Sequence, residues 1–332
     1  MIPILPVTAV RSISLADVPS SLGAALLIAA LSVAAAALRL ILVRHRLAGT
    51  TLGPALWWSI AALLAVAAQY LFTALGEGAV TSSAVADATG ALTRWDGQRG
   101  FALATLSLCP ALAALGAKRP QHHVWQWIVL SFWVIVNLPN AQSLLLGAGH
   151  LELHGLWRWF LAVLVATGWL NWCGTRWWLP GTLVVLAQCC WLGPHLPGTP
   201  LVGWESHWAI GGPLAAVGTL AISLGWPRAK LRPAGIDQVM ADFRDTFGNL
   251  WALRIAERFN LDARAHDWPV TLTPGGAVPG DSPPNGAHPE GDDPSHDGSA
   301  TVDLDEASRR LLKSLLGRFV SEEWFETRWP AE

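Results

Sequence analysis

The charged residues are spread so unevenly that the two ends of this chain cannot share one solvent. Residues 1–226 hold 10 Lys/Arg and 6 Asp/Glu, whereas residues 227–332 hold 12 Lys/Arg and 18 Asp/Glu. Sixteen charges in the first 226 positions, cut into apolar runs of about bilayer length, exclude a water-soluble globule, a collagen-like fibre, a disulfide-stapled mini-protein and a disordered chain. The pattern predicts an all-α fold: a polytopic membrane helix bundle followed by a small helical tail in the cytosol. Net charges of +4 and −6 on the two parts make the tail a poor ligand for nucleic acid and a poor polybasic lipid anchor.

Seven runs of low charge, bounded by Lys/Arg, Trp or Gly/Pro, are expected to span the bilayer: 20–43, 52–75, 100–117, 124–146, 156–172, 177–192 and 208–226. Pro110 lies in the third and Pro139 in the fourth, which lipid tolerates where neighbouring helices satisfy the freed backbone groups. The sixth run is the shortest and would reach only about 24 Å as a helix. The N-terminus lacks the basic stretch of a cleavable signal, so the first run is expected to remain as a helix.

Loop charges test that count, because the number of helices fixes which loops share a side. Arg44, Arg46, Lys118, Arg119, Arg176, Arg228, Lys230 and Arg232 fall on one side, and Arg11, Arg94, Arg99 and Arg158 on the other. An excess of basic residues on alternate loops predicts seven spans with the N-terminus outside and the C-terminus in the cytoplasm. Ala- and Leu-rich, Lys-poor composition points to the inner membrane of a bacterium as the location of this multi-pass protein.

Beyond Pro227 the apolar residues of 236–261 recur at steps of three and four between charges, which predicts a juxtamembrane amphipathic helix within 227–273, followed by a short extended piece over 268–273. Residues 274–300 are rich in Pro, Gly, Asp and Ser and read as a disordered linker. A second amphipathic helix is expected over 303–328 within the final segment 301–332, opened by a capping box from Asp303 to Glu306. These apolar faces are expected to pack on each other, or to dock a cytosolic protein partner or a second copy.

Two clusters could carry chemistry. His150, Glu152 and His154 share one outer loop, and His195, Glu205 and His207 the next; imidazole with carboxylate suits Zn, Cu or Fe, and histidines at a membrane border serve as haem ligands. Outer loops also need polar residues for solvation alone, so no cofactor is firmly implied. Inside the fourth run Asn137, Asn140 and Gln142 flank Pro139, and Gln69 and Gln188 could extend them into a polar intramembrane seam. Such a seam either lines a passage on a broken helix or hydrogen-bonds carbonyls freed by the proline.

Absences narrow the field. No span core holds Asp or Glu, none holds the lysine that a retinal Schiff base needs, and the phosphate-loop, HExxH and Gly-x-Ser-x-Gly patterns are missing. The expected function is therefore a non-enzymatic scaffold or accessory subunit whose tail docks a partner. Transport or permeation through the kinked fourth span is one alternative, and metal or haem handling by the outer histidines is another.

Overall fold

The computed structural model describes residues 18–79, 97–146, 151, 153–198, 205–229, 232–279 and 297–330. Eight helices build the first part: α1 Val18–Val43, α2 Gly53–Ala79, α3 Gly97–Leu115, α4 Trp125–Val136, α5 Leu138–Leu145, α6 Gly155–Cys173, α7 Trp178–Leu192 and α8 Glu205–Leu224. By length and apolarity, Gly23–Leu47, Gly53–Leu75, Gly97–Leu115 and His207–Leu224 are able to cross a membrane. The pair α4 and α5, bent by 46° at Asn137, makes a fifth if it is one span. The fold is thus all-α in class, with four or five candidate spans. The helices α6 and α7 occupy the fifth and sixth expected runs but fall short of the same test: α7 has only 15 residues, and α6 carries four tryptophans, Arg158 and Asn171.

Small residues let the helices approach closely, as association in lipid requires. Ala29, Val33, Ala36 and Ala37 line the buried face of α1, and Ala215 and Ala216 that of α8. A Cβ on Gly212 would come within 2.9 Å of both Ala29 and the Tyr70 ring, so only glycine fits where α8 crosses α1 and α2. Helix α3 sits at the centre. Its residues from Gly100 to Leu115 include none that is exposed. It touches α2 and α4, approaches α6 where Gly168 faces Ala111, receives a hydrogen bond from Gln188 of α7, and meets Trp208 of α8 at Gly100. The sequence of α3, rich in Ala and Leu, suits a helix that packs on every side.

The second part is a C-terminal domain built around a second core, to which loops of the first part also contribute: α9 Ile236–Phe247, α10 Asn249–Ala265, an antiparallel hairpin of β1 Val270–Thr273 and β2 Gly276–Pro279, α11 Asp297–Leu316 and α12 Glu322–Glu326. Phe243 stacks on Phe247 at 4.8 Å, and Phe319 meets both edge-on. Four sequence expectations need correction here. The amphipathic helix over 236–261 is two helices, because Gly248 adopts φ 87° and turns the chain between them. The start of the expected linker is structured, since residues 276–279 pair with β1; residues 280–296 lie outside the described residues. Asp303 is no helix cap, because α11 already runs from Asp297, and Glu306 is engaged forward with Arg310 at 2.9 Å. The helix expected to continue to 328 ends at Leu316, just before Gly317, and restarts as α12 with Ser321 as its cap.

Candidate functional site

Three of the bundle's amide side chains outside α3, those of Asn137, Asn140 and Gln188, reach α3. Asn140 on α5 donates from Nδ2 to the Gln98 carbonyl at 2.9 Å, and Gln98 donates from Nε2 to the Ser143 hydroxyl at 2.6 Å. Asn137, at the break between α4 and α5, donates to the Thr105 hydroxyl at 3.1 Å and back to the Trp133 carbonyl at 2.9 Å. Gln188 donates to the Ser107 carbonyl at 2.9 Å, where α3 is interrupted ahead of Pro110. Each amide thereby engages a backbone or hydroxyl group that lipid cannot satisfy.

Of the five residues expected to form one seam, Asn137, Asn140 and Gln188 meet α3. Gln69 is buried on α2 but bonds within its own helix to Thr73 at 3.4 Å, and Gln142 is exposed on the outer side of α5. The sequence reading omitted Gln98, Thr105 and Ser143. Gln98 precedes the run assigned from residue 100, and hydroxyls in apolar runs carry no charge signal. A further polar contact ties α2, α7 and α8 together: Trp191 donates its indole N–H to the Tyr70 hydroxyl at 2.7 Å, and that hydroxyl donates to the Trp208 carbonyl at 2.5 Å.

The six outer residues proposed as metal ligands are dispersed where they can be seen. His150, Glu152 and the Glu205 side chain lie outside the described residues. His154 precedes α6 and is exposed, as is His207 in the first turn of α8. His195 instead turns inward, its ring meeting Phe101 edge-on at 4.7 Å, and Arg158 donates to the neighbouring Leu196 carbonyl. Burial, helped by the Arg158 charge, pushes the His195 imidazole down to about 4, so it is neutral at pH 7. A cation beside that ring opposes binding of another cation there. Among the described residues no three His, Cys, Asp or Glu side chains converge as a metal site.

The most extensive constellation lies at the opposite end of the bundle, where the C-terminal domain is bonded to three separate loops. The α1–α2 loop pairs with the segment after α11: Thr51 N–H donates to the Phe319 carbonyl at 2.9 Å, Ser321 N–H to the Gly49 carbonyl at 2.6 Å, and Thr50 bridges Val320 in antiparallel fashion. At the end of α3, Arg119 N–H donates to the Arg318 carbonyl at 2.8 Å and Trp251 donates to the Ala114 carbonyl at 3.1 Å. Leu52, Ala114 and Ala117 complete the core of the C-terminal domain.

At the α6–α7 turn the carboxylate of Asp245 lies 3.5 Å from Arg176 and 3.1 Å from Arg244, and it accepts the Arg176 backbone N–H at 3.2 Å. Asp245 is only 8% exposed, so three donors replace the water it has lost. Trp177 donates its indole N–H to the Asp245 carbonyl at 2.7 Å while the Arg176 guanidinium covers the Trp177 ring at 4.1 Å. Buried Asn171, near the end of α6, accepts the N–H of Leu250 at 3.0 Å in the first turn of α10. This arrangement of backbone pairing, a shared apolar core and a buried ion pair is suited to holding one domain on another.

Among the described residues the outward face of α10 is left uncovered. Leu250, Leu253 and Leu261 are each between 43% and 53% exposed, and with Arg254, Glu257 and Arg258 they line one shallow depression. The chain matches no protein-family model, no curated protein and no solved structure.

Proposed function

We propose that this protein is a non-enzymatic membrane scaffold or accessory subunit that holds its C-terminal domain rigidly on the cytoplasmic face of a bacterial inner membrane and presents that domain to a protein partner. The observation that carries this reading is the attachment of one domain to three loops, residues 43–52, 115–124 and 173–177, together with an exposed apolar stripe on α10. A domain tethered for mobility would not share its core with the loops of the bundle.

The same attachments support seven traversals with the N-terminus outside. The chain returns to one face between α1 and α2, after α3 ends and between α6 and α7, and α8 then leads into the C-terminal domain itself. Arg44, Arg46, Lys118, Arg119 and Arg176 all lie in those loops, in accord with an inward basic bias. On this reading α6 and α7, about 28 and 22 Å long, cross among longer neighbours.

Affinity capture compares the intact protein with a Leu253→Asp, Leu261→Asp variant, which alters only exposed positions. Loss of a specific protein partner from the variant supports the scaffold reading. An identical set of partners on both samples overturns it.

Permeation along the bent fourth span has one observation in its favour: the buried Oδ1 atoms of Asn137 and Asn140 accept no hydrogen bond. Flux into liposomes that disappears in Asn137→Leu would establish that second reading.

A further inference from the structure

The uncovered face of α10 carries a pattern of charges as well as leucines. On a helix, positions 250, 254, 257, 261 and 264 project on one side, with 253 and 258 at its flanks. Glu257 therefore stands in the middle of the stripe, between leucines and among arginines. Neither Glu257, Arg254 nor Arg258 forms an ion pair among the described residues. Elsewhere in the domain Arg309 pairs with Glu326, Lys313 with Glu322 at 2.6 Å, and Arg328 with Asp242 at 2.7 Å. An anionic lipid surface is a poor occupant, because it would bring phosphates against the central carboxylate. The face suits an occupant that offers an arginine opposite Glu257, a carboxylate opposite Arg254 and apolar side chains at both ends.

A second α10 in antiparallel orientation offers all of these. If the two helices are centred midway between residues 255 and 256, Arg254 of each copy stands opposite Glu257 of the other, and Leu250 opposite Leu261. Leu253 then meets the aliphatic stem of Arg258. The contact is isologous, so each favourable pair is made twice by a single two-fold axis. Moving the centre to residue 257 would set the two glutamates against each other, which fixes the register. The rows of side chains spaced four residues apart along α10 supply the ridges and grooves that helix packing requires.

We infer that α10 is a self-association surface, and that two copies of this chain pair through antiparallel α10 helices with reciprocal Arg254–Glu257 ion pairs. This deepens the scaffold reading, on which it rests for the outward presentation of the C-terminal domain. One helix pair of this length is smaller than the interfaces that hold free proteins together, at about 800 Å² per partner. Two chains held upright in one bilayer, however, have already lost part of the rotational freedom that association costs.

The test is the mass of the full-length protein in lipid nanodiscs and its dimer dissociation in liposomes, for wild type, Arg254→Glu, Glu257→Arg and the double charge swap. All of these positions are exposed, so the fold is retained, which circular dichroism checks. Wild type is expected to be a dimer. Each single reversal sets like charges opposite each other twice and weakens it by about tenfold or more. The double swap restores it. A monomeric wild type, a dimer indifferent to either single reversal, or a double swap as weak as the single variants overturns the proposal. Protein that is monomeric in bilayers but still loses a different, captured partner through Leu253→Asp, Leu261→Asp refutes the pairing alone. A charge-dependent dimer whose captured partners ignore that variant refutes the scaffold reading alone.

Discussion

Trp177 and Asp245 are joined at 2.7 Å by an indole N–H to carbonyl hydrogen bond, and this contact fastens the C-terminal domain to the turn between α6 and α7. The Asp245 side chain meanwhile neutralises Arg176 and Arg244, so one residue uses both its backbone and its carboxylate to bind the same turn. Asp245→Ala leaves two arginines facing a space that nothing negative fills. The expected loss is about 1–3 kcal/mol of interdomain stability, since Arg176 stays partly solvated. Limited proteolysis should then release a C-terminal fragment while the bundle stays intact. An unchanged cleavage pattern would count against the clamp.

Gly248 separates α9 from α10 at φ 87°, and a Cβ there would lie 2.3 Å from the Asn171 amide. Gly248→Ala therefore meets two penalties, a left-handed backbone and a steric clash with the side chain that caps α10. We expect a loss of about 2 kcal/mol or more, read as a lower thermal midpoint in detergent. Pairing it with Asn171→Ala, which removes the obstacle, should recover part of that loss.

Gln98 and Asn140 join α3 to α5 within the bundle. Because Asn140 binds the Gln98 carbonyl and the Gln98 side chain binds Ser143, a double-mutant cycle between Gln98→Leu and Ser143→Ala should show a coupling of about 0.5–1.5 kcal/mol. A coupling near zero would mean that this amide does not join the helices energetically.

His195 supplies a pH dependence with a definite sign. The fold holds its imidazole neutral down to about 4, whereas an unfolded histidine protonates at about 6.5. Stability is thus unaffected by His195 protonation above pH 6.5 and falls as pH drops toward 4, by about 3 kcal/mol. The thermal midpoint of wild type should drop across that window by more than that of His195→Phe. Parallel curves for the two proteins would remove His195 as the cause.

Much of the bundle was legible because the constraints in lipid are one-dimensional. Apolar length, proline position and loop charge place α1, α2, α3 and α8 within a few residues of their expected limits. Tryptophans made α6 ambiguous: they favour the interface as readily as the interior, so length and apolarity do not by themselves make it a span. Among the polar residues, Asn137 and Asn140 stood out beside Pro139, but their partners Thr105 and Gln98 did not. A hydroxyl in an apolar run leaves no trace in charge or periodicity, and Gln98 lay beyond the apparent border. Gly248 was missed for a different reason, since the apolar period runs through it unbroken and only the backbone angle reveals the turn.

The central position of α3 has a consequence for how the protein is made. Its neighbours come from both sides of it in sequence, with α2 already synthesised and α6, α7 and α8 still to follow. When α3 enters the membrane, the surfaces that will cover Ala111, Ser107 and Gly100 do not yet exist. Translation must run on through α8 before this helix is enclosed. A chain interrupted between α5 and α6 would leave Pro110 and the broken backbone around it against lipid, and quality-control proteolysis should clear such a fragment faster than the whole protein.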